Sequence, residues 1–81
     1  MVRSLHTPEY EQFRLLIADA RDRAKLTQSE LAARLGKPQS FVSKYESGER
    51  RLDVVEFILV CNALEVEPAP VLKRLTKIFQ Q

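Results

Sequence analysis

Gln39, Ser40, Ser43 and Lys44 place an amide, two hydroxyls and an ammonium within one short stretch of chain. Amides and hydroxyls both donate and accept hydrogen bonds, while an ammonium only donates, with full charge. A helix turns about 100° per residue; with Gln39 as origin, Ser43 falls at about 40°, Ser40 at about 100° and Lys44 at about 140°. Val42 and Tyr45 fall at about 300° and 240°, on the opposite side, and Phe41 lies at the boundary. One face is polar and compact, and the other is fit to dock on a core. Side chains of this kind on a rigid helix can hydrogen-bond base edges in a DNA major groove. Phe41 and Tyr45 are read as boundary and core residues rather than as rings that stack on nucleic acid.

The charge around this helix points the same way. Net charge is only +2, but Arg34, Lys37, Lys44, Arg50 and Arg51 outnumber Glu46 and Glu49 between positions 34 and 51. A surplus of this kind fits either a solvated surface or phosphate contact, and its position around the polar helix favours phosphate.

The elements that position these groups follow from caps and apolar spacing. Thr7-Pro8-Glu9 is a helix start: a hydroxyl cap, a proline in the first turn and an acid at the positive end. Phe13, Leu16, Ile17, Ala20 and Ala24 follow at helical spacing, which predicts a first helix to about Arg23–Lys25. Thr27 and Glu30 fit a capping box, so a second helix spans about Gln28–Leu35 and buries Leu31, Ala32 and Leu35. Gly36 ends it, because the left-handed conformation costs glycine least. Pro38 opens a third helix to about Glu46, which Gly48 closes.

After the basic loop Glu49-Arg50-Arg51, Asp53 with Glu56 caps a fourth helix to about Leu64. Its expected core stripe is Val54, Phe57, Ile58, Cys61 and Leu64, while Val55 and Leu59 project elsewhere. A helix apolar over more than one stripe is either deeply buried or part of an interface. Val66-Glu67-Pro68 is a connector. A fifth helix begins near Ala69–Pro70 and carries Val71, Leu72, Leu75, Ile78 and Phe79 on one face.

Composition narrows the class. Eighty-one residues, 44% of them apolar, make one small domain with a single core. No apolar run approaches the roughly 20 residues of a membrane span, and the N-terminus has no signal-peptide pattern. The expected location is cytoplasmic, with no membrane partner. Cys61 has no cysteine to pair with and reads as a buried small hydrophobe. His6 stands without ligands at metal-binding spacing, so no metal site is expected. No carboxylate pairs with a histidine or serine in a way that suggests catalysis. The chain reads as neither an enzyme nor a cofactor protein.

The run Leu26-Thr27-Gln28 with Glu30-Leu31-Ala32, then Gly36, then Ser43, Glu46, Gly48 and Arg50, resembles the helix-turn-helix of phage lambda repressor and Cro-like regulators, the XRE type. The resemblance covers roughly residues 13–66. It implies an all-α, five-helix lambda-repressor-like domain whose second and third helices form the motif. The DNA-binding core would span 9–66, within a single domain of 1–81, and 69–81 would be a candidate dimerisation helix.

The resemblance also implies roles. Gln28 would grip a phosphate and brace the recognition helix. Gln39 would make a paired hydrogen bond to adenine. Ser40 and Lys44 would reach further base edges, with Ser43 nearer the backbone, while Arg50 and Arg51 would contact phosphates; Lys37 is a DNA-binding candidate through the basic surplus alone. Arg21 and Glu46 would form a structural ion pair. Three positions depart from the pattern: Lys37 stands where a capping Ser or Thr is frequent, Leu52 where proline is usual, and Glu65 where glycine often ends the fourth helix.

The expected function is that of a sequence-specific regulator, a dimeric repressor on a palindromic operator. Double-stranded DNA and a second copy are the expected partners. Val55, Leu59, Leu72, Leu75, Ile78 and Phe79 form the candidate interface; the alternative is that the fifth helix folds back on its own core. Narrower readings of the same fold are a restriction–modification controller or an antitoxin that also binds a toxin. A helical protein-interaction adaptor is the reading from another class.

Overall fold

The computed structural model describes residues 7–80, which leaves His6 outside the described residues. Five helices follow in order: α1 (Pro8–Arg23), α2 (Gln28–Leu35), α3 (Gln39–Ser47), α4 (Val54–Leu64) and α5 (Pro68–Phe79). No strand occurs among the described residues, and none of their helices is long and apolar enough to cross a membrane.

The expected caps are in place. The Tyr10 amide donates to Thr7 Oγ1 at 3.0 Å, with Pro8 in the first turn. Thr27 and Glu30 form both halves of a capping box at 3.0 and 2.8 Å. Asp53 and Glu56 do the same at 2.7 and 2.9 Å. Each box satisfies two amides that a helix start otherwise leaves open. Helix α3 starts after Pro38 with no side-chain cap. Gly36 and Gly48 end α2 and α3 at φ 68° and 88°, the left-handed region that a Cβ disfavours. Glu65 ends α4 in the same conformation, at φ 60°.

Helix α2 packs on α3 and α4; α1 packs on α3 and α5; α4 also meets α5. Ile17, Leu31, Val42, Tyr45, Val60 and Cys61 are fully buried where these helices converge. Burial of side chains of this size contributes roughly 1.5–3 kcal/mol each. A chain of rings, Tyr10 to Phe13 at 5.5 Å and Phe13 to Phe57 at 5.3 Å, ties the start of α1 to α4.

The core differs from expectation in α4. Val54 and Ile58 are 67% and 42% exposed, whereas Val60 is fully buried. Nearly every residue from Val54 to Cys61 is apolar, so apolar spacing alone does not set which stripe faces inward; packing on α2 and α5 turns Phe57, Val60, Cys61 and Leu64 inward. Leu52, in the loop before α4, also joins the core. Helix α5 starts at Pro68, one residue earlier than expected. None of its residues is fully buried, although Val71 packs against the core.

Candidate nucleic-acid interface

Helix α3 is gripped from behind. Val42 and Tyr45 fill the core, and Arg14 Nη1 of α1 donates to the Glu46 carbonyl at 2.6 Å, which occupies an acceptor that the end of α3 leaves open. Arg21 forks onto the Glu46 carboxylate at 2.7 and 3.0 Å and donates to the Leu26 carbonyl at 2.7 Å. The structural ion pair expected between α1 and α3 is therefore present. Its hydrogen bonds hold the Arg21 guanidinium above its ordinary pKa.

The pair continues to the other end of α3. Gln28 Nε2 donates to Glu46 Oε1 at 2.9 Å, and Gln39 Nε2 donates to Gln28 Oε1 at 2.9 Å. A carboxylate only accepts, so Gln28 must turn its NH2 group to Glu46 and its oxygen to Gln39. Gln39 thereby commits one N–H and keeps a second N–H and its carbonyl oxygen for a ligand. An adjacent donor and acceptor match the N7 and N6–H2 groups of adenine.

Gln39, Ser40 and Lys44 are exposed around this point and Ser43 is half-buried, so the polar face read from the sequence is one surface. Lys37 flanks it, with its ammonium 5.4 Å from the Phe41 ring centre. Arg50 lies over the same ring at 4.9 Å. Its guanidinium also forks onto Glu56 at 3.1 Å on both oxygens, which sets that arginine into the scaffold. Arg51 points elsewhere and lies over the Tyr10 ring at 4.5 Å. Neither Lys44 nor Arg51 forms an ion pair among the described residues.

Arg14 and Tyr10 are part of this arrangement and were not singled out by sequence. Tyr10 had a detectable signal, since it continues the stripe of Phe13, Ile17, Ala20 and Ala24 one step toward the N-terminus. Arg14 had none, because its partner lies 32 residues away. Among the described residues no group of His, Cys, Asp and Glu is placed to hold a metal.

The residues set aside for association lie on α4 and α5. Val55, Leu59, Leu72 and Phe79 are 62, 52, 44 and 49% exposed, while Leu75 and Ile78 are half-buried. With Val54 and Ile58 also exposed, both helices present apolar surface to solvent.

Comparison with known proteins places this geometry. A helix-turn-helix family model matches residues 17–71. An XRE-family-like protein from Pseudomonas syringae pv. tomato str. DC3000 has 46% sequence identity and a TM-score of 0.86, over 94% of this chain and 93% of that one. The wild-type restriction–modification controller protein C.Esp1396I has the same fold, with a TM-score of 0.82 at 22% identity over 94% of this chain and 100% of its own. The controller protein C.AhdI from Aeromonas hydrophila aligns at a TM-score of 0.72 and 26% identity, over 80% of this chain and 98% of that one. No curated relative matches. The chain belongs to the XRE-type helix-turn-helix family, and it is a DNA-binding transcriptional regulator rather than an enzyme.

Proposed function

We propose that the protein is a dimeric, sequence-specific repressor that occludes a promoter by binding a palindromic operator. The observation that carries this reading is the hydrogen-bonded line Glu46–Gln28–Gln39, which leaves Gln39 with a donor and an acceptor set beside Ser40 and Lys44. In this reading Gln39, Ser40 and Lys44 meet base edges. Gln28, Lys37, Ser43 and Arg51 meet the sugar–phosphate backbone, and Arg50 supports the loop beside them. Residues 9–66 are the DNA-binding core, and the protein acts in the cytoplasm.

One recognition helix reads only a few base pairs, and a single module covers roughly 600–1,000 Å² of protein surface. A two-fold dimer sets two such helices about 34 Å apart, one DNA turn. The exposed apolar residues of α4 and of α5, within the segment 69–81, are the surface offered for it.

Selection of random duplexes on the purified protein at about 150 mM salt, where non-specific binding is weakened, tests the reading. The expected result is an enriched palindrome with half-sites one turn apart. Gln39→Ala should cost about 1–3 kcal/mol and relax one position in each half-site. An unchanged base preference in Gln39→Ala would remove Gln39 from the readout. No enrichment at all would favour an adaptor role.

The likeness to C.Esp1396I and C.AhdI favours a second reading, a restriction–modification controller. A restriction endonuclease and methyltransferase encoded beside this chain would select it. No observation on the described residues favours an antitoxin.

A further inference from the structure

Tyr10 stands on the first turn of α1, away from the recognition helix, yet two of its groups engage the loop between α3 and α4. Its hydroxyl accepts the Leu52 amide proton at 2.9 Å across 42 residues of sequence, and its ring lies under the Arg51 guanidinium at 4.5 Å. We propose that Tyr10 is a positioning residue for Arg51, a clasp that holds this guanidinium ready for a DNA phosphate. The inference rests on the reading of the 49–53 loop as a phosphate-contacting loop.

Five observations support it. The ring is itself fixed: Tyr10 is 8% exposed and packs on Phe13, which packs on Phe57. The hydroxyl bond sets the backbone immediately after Arg51, so ring and loop keep one register. The guanidinium meets the ring but forms no hydrogen bond or ion pair among the described residues, so its N–H groups can fork onto phosphate oxygens. The neighbouring arginine does the opposite, since Arg50 spends its edge on Glu56. Glu9 and Asp53 line the cavity next to Arg51, and neither forms an ion pair with it. Of the two loop arginines, Arg51 is the one that is held in place yet forms no ion pair among the described residues.

The test is a double-mutant cycle read as affinity for a random-sequence duplex across a salt series. Arg51→Ala should lower the slope of log affinity against log salt by about one. Tyr10→Leu keeps an apolar side chain but removes the ring and the hydroxyl. It should weaken binding about two- to fivefold, the range of an exposed cation–π contact, and have no further effect once Arg51 is alanine. A purely structural role would give the same loss in both backgrounds. If Tyr10→Leu does not fold by circular dichroism, Tyr10→Phe carries the same cycle: it keeps the ring, frees the loop, and its loss should also vanish beside Arg51→Ala. Losses that add, or a Tyr10 variant that binds as the parent does, would overturn the clasp while the loop stays a phosphate contact. An Arg51→Ala variant with parental affinity at every salt concentration would overturn the loop reading and the clasp with it.

Discussion

The hydroxyl of Tyr45 has no hydrogen-bond partner among the described residues, although the residue is fully buried. Burial also pushes its ionisation up from the ordinary value, so it remains a neutral, unspent donor and acceptor in the core. An unsatisfied buried polar group costs about 1–3 kcal/mol. Tyr45→Phe removes that group and keeps the ring that meets Phe41 edge-on at 5.5 Å. The variant should be as stable as the parent or more stable by about 1 kcal/mol in thermal unfolding, with operator affinity unchanged. A clear loss of stability would mean that the hydroxyl has a water partner. Cys61 shows the same environment, with its thiol pushed up by burial.

At the scale of elements, the loop before α4 depends on ionised Glu56. The carboxylate is held below its usual range, first by the Arg50 fork and then by the Asp53 amide. A lowered native pKa means that the unfolded chain takes up a proton first as pH falls. The contribution is full at neutral pH, declines as pH drops past the unfolded value of about 4.3, and is gone below the native one. Urea midpoints measured between about pH 7 and 3 should therefore fall, and Glu56→Gln should start lower and fall less over that range. Equal slopes would remove Glu56 as the cause.

The elements were legible in the sequence to different degrees. Caps such as Thr7, Thr27 and Asp53 act within one turn, so their partners stand at fixed spacings and can be read directly. The inward stripe of α4 was legible only in part: Phe57, Cys61 and Leu64 face inward as expected, but Val54, Val55, Ile58, Leu59 and Val60 are interchangeable by hydropathy, and only the neighbouring helices select Val60 over Val54 and Ile58. The polar face of α3 was readable by rotation alone. The wiring behind it was only partly so: the Arg21–Glu46 pair came from the family resemblance. The Gln28–Glu46 bond and the Arg50–Glu56 fork depend on how helices and loop meet, which no spacing encodes.

At the scale of the whole molecule, the exposed apolar residues of α4 and α5 are the surface the fold leaves uncovered. Leu59→Glu places a charge at a half-exposed position and spares the core. If the proposed dimer forms through these residues, the variant should keep its helicity, be a monomer in sedimentation equilibrium, and bind operator less well, more so at low protein concentration than at high. A dimer that survives Leu59→Glu would move the interface elsewhere. The same molecule holds Lys25 and Glu65 at φ 62° and 60°, where a side chain costs roughly 1–2 kcal/mol. Glu65 pairs with Arg34 only at 3.8 Å on an exposed surface, a contact worth little. Glu65→Gly should thus raise stability by about 0.5–1 kcal/mol after the entropy of glycine in the unfolded chain is counted, seen as a higher Tm. A lineage with this reserve has room to diverge: one glycine, at a position with no assigned DNA contact, can offset the cost of a new side chain at Gln39 or Ser40. Operator preference can then change in steps while the scaffold stays folded throughout.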